Sequence, residues 1–303
     1  MTQKILVCDP MDDSALQLLQ SQPDVKVNYQ PDISAQALQA EIGAYAAVFV
    51  RSRTQLRQDT LAQAHALKVI GRAGTGLDNI DVGFARSQGI QVLNTPGANA
   101  NAVAELALAL MLMLARRIQS GSDSVRQGNP TKVKGIELQG KTLGLVGFGH
   151  IGRLVARLAR GFGMTVMAHD PVISLEQIPE PLRVVPLCAL EELLPQSDFV
   201  SLHVPSLDST RGMVNETLLL QFKAGAYLLN TARGDLIDER AVLGALTSGQ
   251  LAGFATDLPD CASTLLAHPN VVVTPHIGAS TAESQRRAGE GIVKRVLEAL
   301  ASP

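Results

Sequence analysis

The chain has few cysteines, no apolar run long enough for a membrane and almost no net charge, and each shortage removes a class of function. Cys8, Cys188 and Cys261 stand far apart with no C-x-x-C spacing. That argues against a disulfide framework or a thiolate zinc site and fits a reducing cytoplasm, each thiol reading as a small buried apolar residue. Lys and Arg total 26 against 28 Asp and Glu, a net charge of -2, so the chain is not a nucleic-acid binder by bulk charge. The most apolar stretch, "AVAELALALMLMLARR", has about 14 apolar-rich positions interrupted by Glu105, short of the roughly 20 that a membrane span needs. It reads as a buried helix. The opening "MTQKILVCDP" runs straight into a strand without the marks of a signal peptide, so a cytoplasmic protein is expected.

What is present is ample apolar material: 46% hydrophobic residues in 303 allow a full core and two domains. Short β-branched runs alternate with helix-period runs: "KILVCDP", "DVKVNY", "AAVFVRS", "KVIGRAG" and "IQVLNTPG" are the first five strands. Strands separated by helices make a parallel, doubly wound sheet, because parallel neighbours need crossovers. The polar segment "QSGSDSVRQGNPTKVKG" reads as a surface loop. A second wound sheet then follows through "TLGLVGFG", "MTVMAHDP", "RVVPL", "DFVSLHVP", "AYLLNTARG", "QLAGFATDLP" and "NVVVTPH", the last a buried-looking strand. The final amphipathic helix has no strand after it and can return to the first domain. The expected architecture is α/β with two doubly wound parallel sheets, the first domain formed by 1–97 and 282–303 and the second by 98–281.

The strongest local signal is "LGLVGFGHIGRLVARLARGFGMTVMAHDP". A strand runs into Gly147-x-Gly149-x-x-Gly152, a helix follows, and the next strand ends in Asp170, 23 positions after Gly147. The first glycine permits the turn, the second lets backbone approach a pyrophosphate at the helix N-terminus, and the third lets helix and strand pack closely. Asp170 would accept from the adenine-ribose hydroxyls; its charge repels a 2′-phosphate and no Arg follows it, so NAD is expected over NADP. Arg233, Asp257 and His276 all fall at the carboxyl ends of strands, where open α/β sheets bind ligands. Alone, Arg233 is an ordinary surface ion pair and His276 a satisfied loop histidine; three polar residues at three neighbouring strand tips make one candidate site. In the other domain, Gly74-Thr75-Gly76 forms a second glycine-rich loop whose N–H groups could hold a carboxylate. Arg51, Arg53 and Arg72 add positive charge at strand tips there, pointing to an anionic substrate, although each could be a solvated arginine.

Taken together these residues resemble the NAD-dependent D-2-hydroxyacid dehydrogenases, most closely the D-3-phosphoglycerate dehydrogenase branch. The resemblance runs through "VIGRAGTGLDNIDVGFARSQGIQVLNTPGANANAVAE", "GKTLGLVGFGHIGRLVARLARGFGM", "NTARGDLIDERAVLGAL" and "HPNVVVTPHIGAST", in order and spacing. It implies a Rossmann cofactor domain inserted in a flavodoxin-like substrate domain. It implies further that His276 is the acid/base at the substrate oxygen and that Arg233 grips the substrate carboxylate. Thr231, Ala232, Asp257, Gly278 and Ala279 would lie around the nicotinamide, Val204 near the adenosine, and the N–H groups of His150 and Ile151 at the pyrophosphate. Thr75 would reach the cofactor from the other domain, and Arg51 would meet the phosphate end of phosphoglycerate. A homodimer on the cofactor domain is implied, with the apolar helix from Val103 to Arg116 near its interface.

Three departures qualify the likeness. The family pattern after Asp257, D-V-F-x-x-E-P, is replaced by the shorter "DLPDCAS", so the glutamate that pairs with the histidine is missing, and Asp260 is the expected substitute. The loop "RQGNPTKVKG" is short and holds Lys132 and Lys134 in place of Trp and Arg. No regulatory domain follows Pro303, so serine feedback is not expected. The expected activity is hydride transfer at C2 of a small anionic 2-hydroxy acid, foremost 3-phosphoglycerate. The alternatives are a glyoxylate or hydroxypyruvate reductase and an NAD-sensing, corepressor-like binding module.

Overall fold

The computed structural model describes residues 2–258 and 263–301. The chain divides into two compact units, Met1–Asn99 with Ala279–Pro303, and Ala100–Gly278.

The first unit holds β1 (Gln3–Val7), β2 (Val25–Tyr29), β3 (Ala47–Val50), β4 (Val69–Arg72) and β5 (Gln91–Asn94). They form an all-parallel sheet in the order β2-β1-β3-β4-β5. Side chains alternate between faces with period two. Leu6, Val48 and Ile70 enter the core on one side, and Ile5, Val7, Phe49 and Val69 enter it on the other. The second face is covered by the last helix, Ala282–Ala301, through Ile292, Val293 and Val296. A Cβ at Gly71 of β4 would lie 2.7 Å from Val296 Cγ2, so a glycine there lets the helix lie against the strand. Cys8, fully buried, has its thiol pKa pushed up to about 12 by that burial, and behaves as an apolar filler.

The second unit holds β6 (Thr142–Val146), β7 (Thr165–His169), β8 (Phe199–Leu202), β9 (Ala226–Asn230), β10 (Leu251–Thr256) and β11 (Val271–Val273). These strands are also parallel, in the order β11-β10-β9-β8-β6-β7. Helices α1 (Ala100–Arg116) and α3 (His150–Gly161) pack on one face, where Ala104, Leu108 and Met111 meet Val155, Ala159, Leu143 and Leu145. The other face buries Val146, Val200, Leu228 and Phe254 with Val242 and Leu246. No helix among the described residues is long and apolar enough to cross a membrane.

Three expectations about elements are corrected. "RVVPL" is not a strand: only Leu187 bridges to Ala168 beside β7. Pro186 supplies its carbonyl to Ala168 but has no N–H for a ladder, and the residues before it turn through Glu180–Leu182. "QSGSDSVRQGNPTKVKG" is not all loop, because α2 (Ile118–Arg126) fills its first half after a break at Arg117, φ +51°. Ser120 and Ser124 return their hydroxyls to the carbonyls of Arg117 and Gly121, which suits serine to a helix its composition hides. The strand β11 is not buried throughout: Val271 and Val272 are buried, but Val273, its last residue, is 38% exposed.

Candidate active site

The site in the second unit is built at the carboxyl ends of its strands. β6 leads into Gly147, whose φ of +99° suits glycine, and a Cβ there would lie 2.6 Å from the His203 carbonyl and 3.0 Å from Val204 Cγ1. Val204 therefore abuts the first glycine. A Cβ on Gly149 would meet nothing within 4 Å, and one on Gly152 would strike the Gly147 carbonyl at 2.3 Å. The first and third glycines are demanded by the protein's own packing, whereas nothing among the described residues crowds the second. Gly149 caps the 12-residue helix α3 without a side-chain bond, and His150 and Ile151 form its first turn, so backbone donors and the positive helix end face open space. Asp170 follows β7. Its Oδ2 accepts from Phe148 N–H at 2.8 Å and its Oδ1 from Val172 and Ile173 N–H at 2.9 and 3.2 Å. A carboxylate has about four acceptor positions, so capacity for ligand hydroxyls remains. Arg153, unremarked in the sequence, holds the loop as well: its Nε donates to the Phe148 carbonyl at 2.9 Å and its guanidinium lies 5.9 Å above the Phe148 ring.

At the tip of β9 the chain runs Asn230, Thr231, Ala232, Arg233. Asn230 is fully buried. Its Oδ1 accepts from Ala232 N–H at 3.1 Å, its Nδ2 donates to the Arg233 carbonyl at 2.7 Å, and Arg233 Nη1 donates to the Ala232 carbonyl at 2.7 Å. The Thr231 hydroxyl is sealed from solvent with no partner among the described residues. An orphaned hydroxyl beside a strand-tip arginine is a place where a ligand group fits.

At the tip of β10, Asp257 is 3% exposed. Its Oδ1 accepts from the Thr274 hydroxyl at 2.6 Å and Ile277 N–H at 2.8 Å, and its Oδ2 from Gly278 N–H at 2.7 Å. These donors bracket His276, which follows a three-residue turn (His276 N–H to the Thr274 carbonyl, 3.0 Å) and sits at φ +56°. Left-handed backbone is unfavourable for a histidine and persists only where its surroundings impose it. Here the imposition comes from the Asp257 carboxylate, and a Cβ on Gly278 would come within 3.0 Å of it. The imidazole is exposed. So both oxygens of Asp257, expected at the nicotinamide, accept from the turn that presents His276, with one acceptor position left by the same count. Asp260, the expected histidine partner, lies outside the described residues. Lys132 and Lys134 are exposed on the segment after α2.

The strand tips of the first unit separate residues that the sequence treated alike. Asp9, buried after β1, accepts from Arg51 N–H, from Arg53 Nε at 3.1 Å and from the Thr54 hydroxyl at 2.7 Å. The Arg53 guanidinium also pairs with Asp32 at 2.8 Å and donates to the Cys8 and Pro31 carbonyls; the Asp32 bond foremost holds its pKa above the ordinary arginine value. Arg53 is a structural clamp. Arg51 uses only its Nη1, on the Pro10 carbonyl at 3.3 Å, and takes no carboxylate among the described residues. In the glycine loop, Gly74 N–H is spent on the Thr95 hydroxyl at 3.0 Å, the Thr75 hydroxyl on Asn99 at 2.8 Å and the Thr75 carbonyl on Asn94 at 2.6 Å. That leaves the N–H groups of Thr75 and Gly76 as the loop's donors. The Arg72 side chain folds over Gly74, where a Cβ would lie 1.5 Å from Nη1. Ala279 groups with this unit, one residue beyond Gly278.

Residues 108–278 match the family described as D-isomer specific 2-hydroxyacid dehydrogenase, NAD binding domain. The hydroxypyruvate reductase of Thermotoga maritima is 42% identical over 306 residues, covering 98% of each chain. The chain belongs to the D-2-hydroxyacid dehydrogenases. Within that family it is also 40% identical to the D-3-phosphoglycerate dehydrogenase of Rattus norvegicus, over 97% of this chain but 56% of the rat protein, so it spans about half the length of that relative. A glyoxylate reductase from Paecilomyes thermophila superposes with a TM-score of 0.89 at 30% identity, over 99% of this dehydrogenase and 96% of the other chain. NAD is the cofactor of this family domain. The glycine loop fits it: a Cβ on Gly149 would meet nothing within 4 Å, α3 begins there, and the Asp170 carboxylate after the next strand has acceptor capacity to spare.

Proposed function

We propose that the chain oxidises a 2-hydroxy acid or reduces the matching 2-oxo acid through His276 and Arg233, with 3-phosphoglycerate and 3-phosphohydroxypyruvate as the leading pair. One observation carries the reading: Arg233 and His276 stand at the tips of strands flanking β10 in one sheet, each on a turn fixed by a buried polar side chain. NAD, when bound, supplies or accepts the hydride at C2. His276 donates a proton to the C2 oxygen in reduction and takes it back in oxidation. Arg233 pairs with the substrate carboxylate and draws electron density from the carbonyl. Thr231 would offer the cofactor a hydroxyl that has no partner among the described residues.

Arg51 supports the phosphorylated substrate, because its charge is not neutralised by a carboxylate among the described residues, whereas that of Arg53 is. The second reading, hydroxypyruvate or glyoxylate reduction, is favoured by the full-length match to the Thermotoga enzyme. The test is NADH oxidation with phosphorylated and unphosphorylated 2-oxo acids, repeated with NADPH. The expected result is preference for 3-phosphohydroxypyruvate and NADH, and in Arg51→Ala a KM for that substrate raised about tenfold or more, the worth of one charged hydrogen bond. Equal use of hydroxypyruvate with no effect of Arg51→Ala gives the second reading instead.

A further inference from the structure

We propose that Asn230 is a positioning residue for Arg233, acting through the backbone that carries the guanidinium; this rests on the role given to Arg233 above. Asn230 ends β9 with β8 on one side and β10 on the other, at 0% exposure, a place where an apolar β-former is the usual choice. Burying an amide there is costly unless its groups are used, and both are. Ala232 N–H needs an acceptor and the Arg233 carbonyl needs a donor, and the one side chain meets both needs. An aspartate would set an oxygen against the Arg233 carbonyl, and a leucine would satisfy neither group. Arg233 Nη1 donates to the Ala232 carbonyl, which lies in the peptide between the two that Asn230 holds, so the turn Asn230 fixes is also one support of the guanidinium.

The connection extends to the second functional turn. The Asn230 carbonyl accepts from Asp257 N–H at 3.2 Å and from the Thr256 hydroxyl at 3.0 Å. The Asp257 carboxylate in turn holds Ile277 and Gly278. The Arg233 turn and the His276 turn are therefore two ends of one chain of hydrogen bonds, with Asn230 at its centre. Removing the Asn230 amide frees residues 231–233 while leaving the guanidinium in the protein, so the defect is one of aim.

The test is a double-mutant cycle between Asn230→Ala and Arg233→Ala, with Asn230→Ser as a second variant whose single shorter hydroxyl cannot serve both Ala232 N–H and the Arg233 carbonyl as the amide does. The readouts are kcat and KM for the 2-oxo acid, NADH affinity by fluorescence titration, and circular dichroism. Asn230→Ala is expected to fold, to bind NADH as the parent does, and to lose about 10- to 100-fold in kcat/KM, the scale of a misplaced catalytic group. In the Arg233→Ala background the same change is expected to cost less than about twofold, because the group it aims is gone. An equal loss in both backgrounds, or failure of both Asn230 variants to fold, overturns the proposal and makes Asn230 a residue of the fold alone. An Arg233→Ala enzyme as active as the parent overturns the underlying role of Arg233, a distinct outcome.

Discussion

The turns bearing Arg233 and His276 are both held from behind by the polar residue at a strand tip, but with different chemistry. Asn230 uses a neutral amide, giving one bond and taking one, to fix a turn of extended backbone. Asp257 uses a buried carboxylate with three donors to fix a turn that leaves a histidine at φ +56°. Bonds to an ionised acceptor are about twice as strong as neutral ones, and the stronger clamp sits where the backbone is less favourable. The demand of the turn, more than the importance of the residue it carries, sets the clamp.

The largest effect that tests this contrast is His276→Gln. It leaves the Asp257 bonds in place and is expected to lower kcat by about 10² to 10⁴, the usual cost of losing a positioned acid/base, with NADH affinity preserved. A small loss in single-turnover kinetics would remove His276 from the proton step. Next is Asp257→Asn, which turns an acceptor into a donor facing N–H or O–H groups. Loss of one or two charged bonds is expected to reduce stability by about 3 kcal/mol, read by thermal melting, together with kcat. A melting point like the parent's would show that the turn holds His276 without its clamp.

The tip of β8 gives the smallest effect and a control, since His203 aims at neither turn. Its Nδ1 is sealed without a partner among the described residues, its Nε2 meets the Ser201 hydroxyl at 3.0 Å, and burial lowers its pKa to about 4. The unfolded chain takes up this proton near pH 6.5 and the folded chain only near 4, so stability falls as pH drops through that window. Roughly 1 kcal/mol is expected to be gone by pH 5.5, and His203→Gln should flatten this part of the melting curve against pH. An unchanged slope would assign the acid sensitivity to other groups.

Much of this was readable in the amino-acid order because it is carried by local pattern. The strands of both sheets announce themselves as apolar runs, and Gly147, Gly149 and Gly152 do so by spacing. Arg233 and His276 were placed at strand tips for the same reason. What stayed hidden depends on partners distant in sequence. In sequence Asn230 is the end of an apolar strand, and nothing near Asp257 shows that Ile277 and Gly278, some 20 residues on, fold onto its carboxylate. Arg51 and Arg53, two residues apart, could not be told apart without Asp9 and Asp32. The available signal was a polar residue closing a buried strand, which recurs at Asn230, Asp257 and, just past β1, Asp9.

The helix Ala282–Ala301 covers Gly71 and the Val69 face of the first sheet, yet it follows the whole second unit in the chain. During synthesis residues 100–278 therefore emerge before the helix that completes the cover over Ile5, Val7 and Phe49. For that interval the sheet has Ala15 and Leu19 of its early helix on this face but not Ile292, Val293 and Val296, and the uncovered apolar surface is open to wrong contacts.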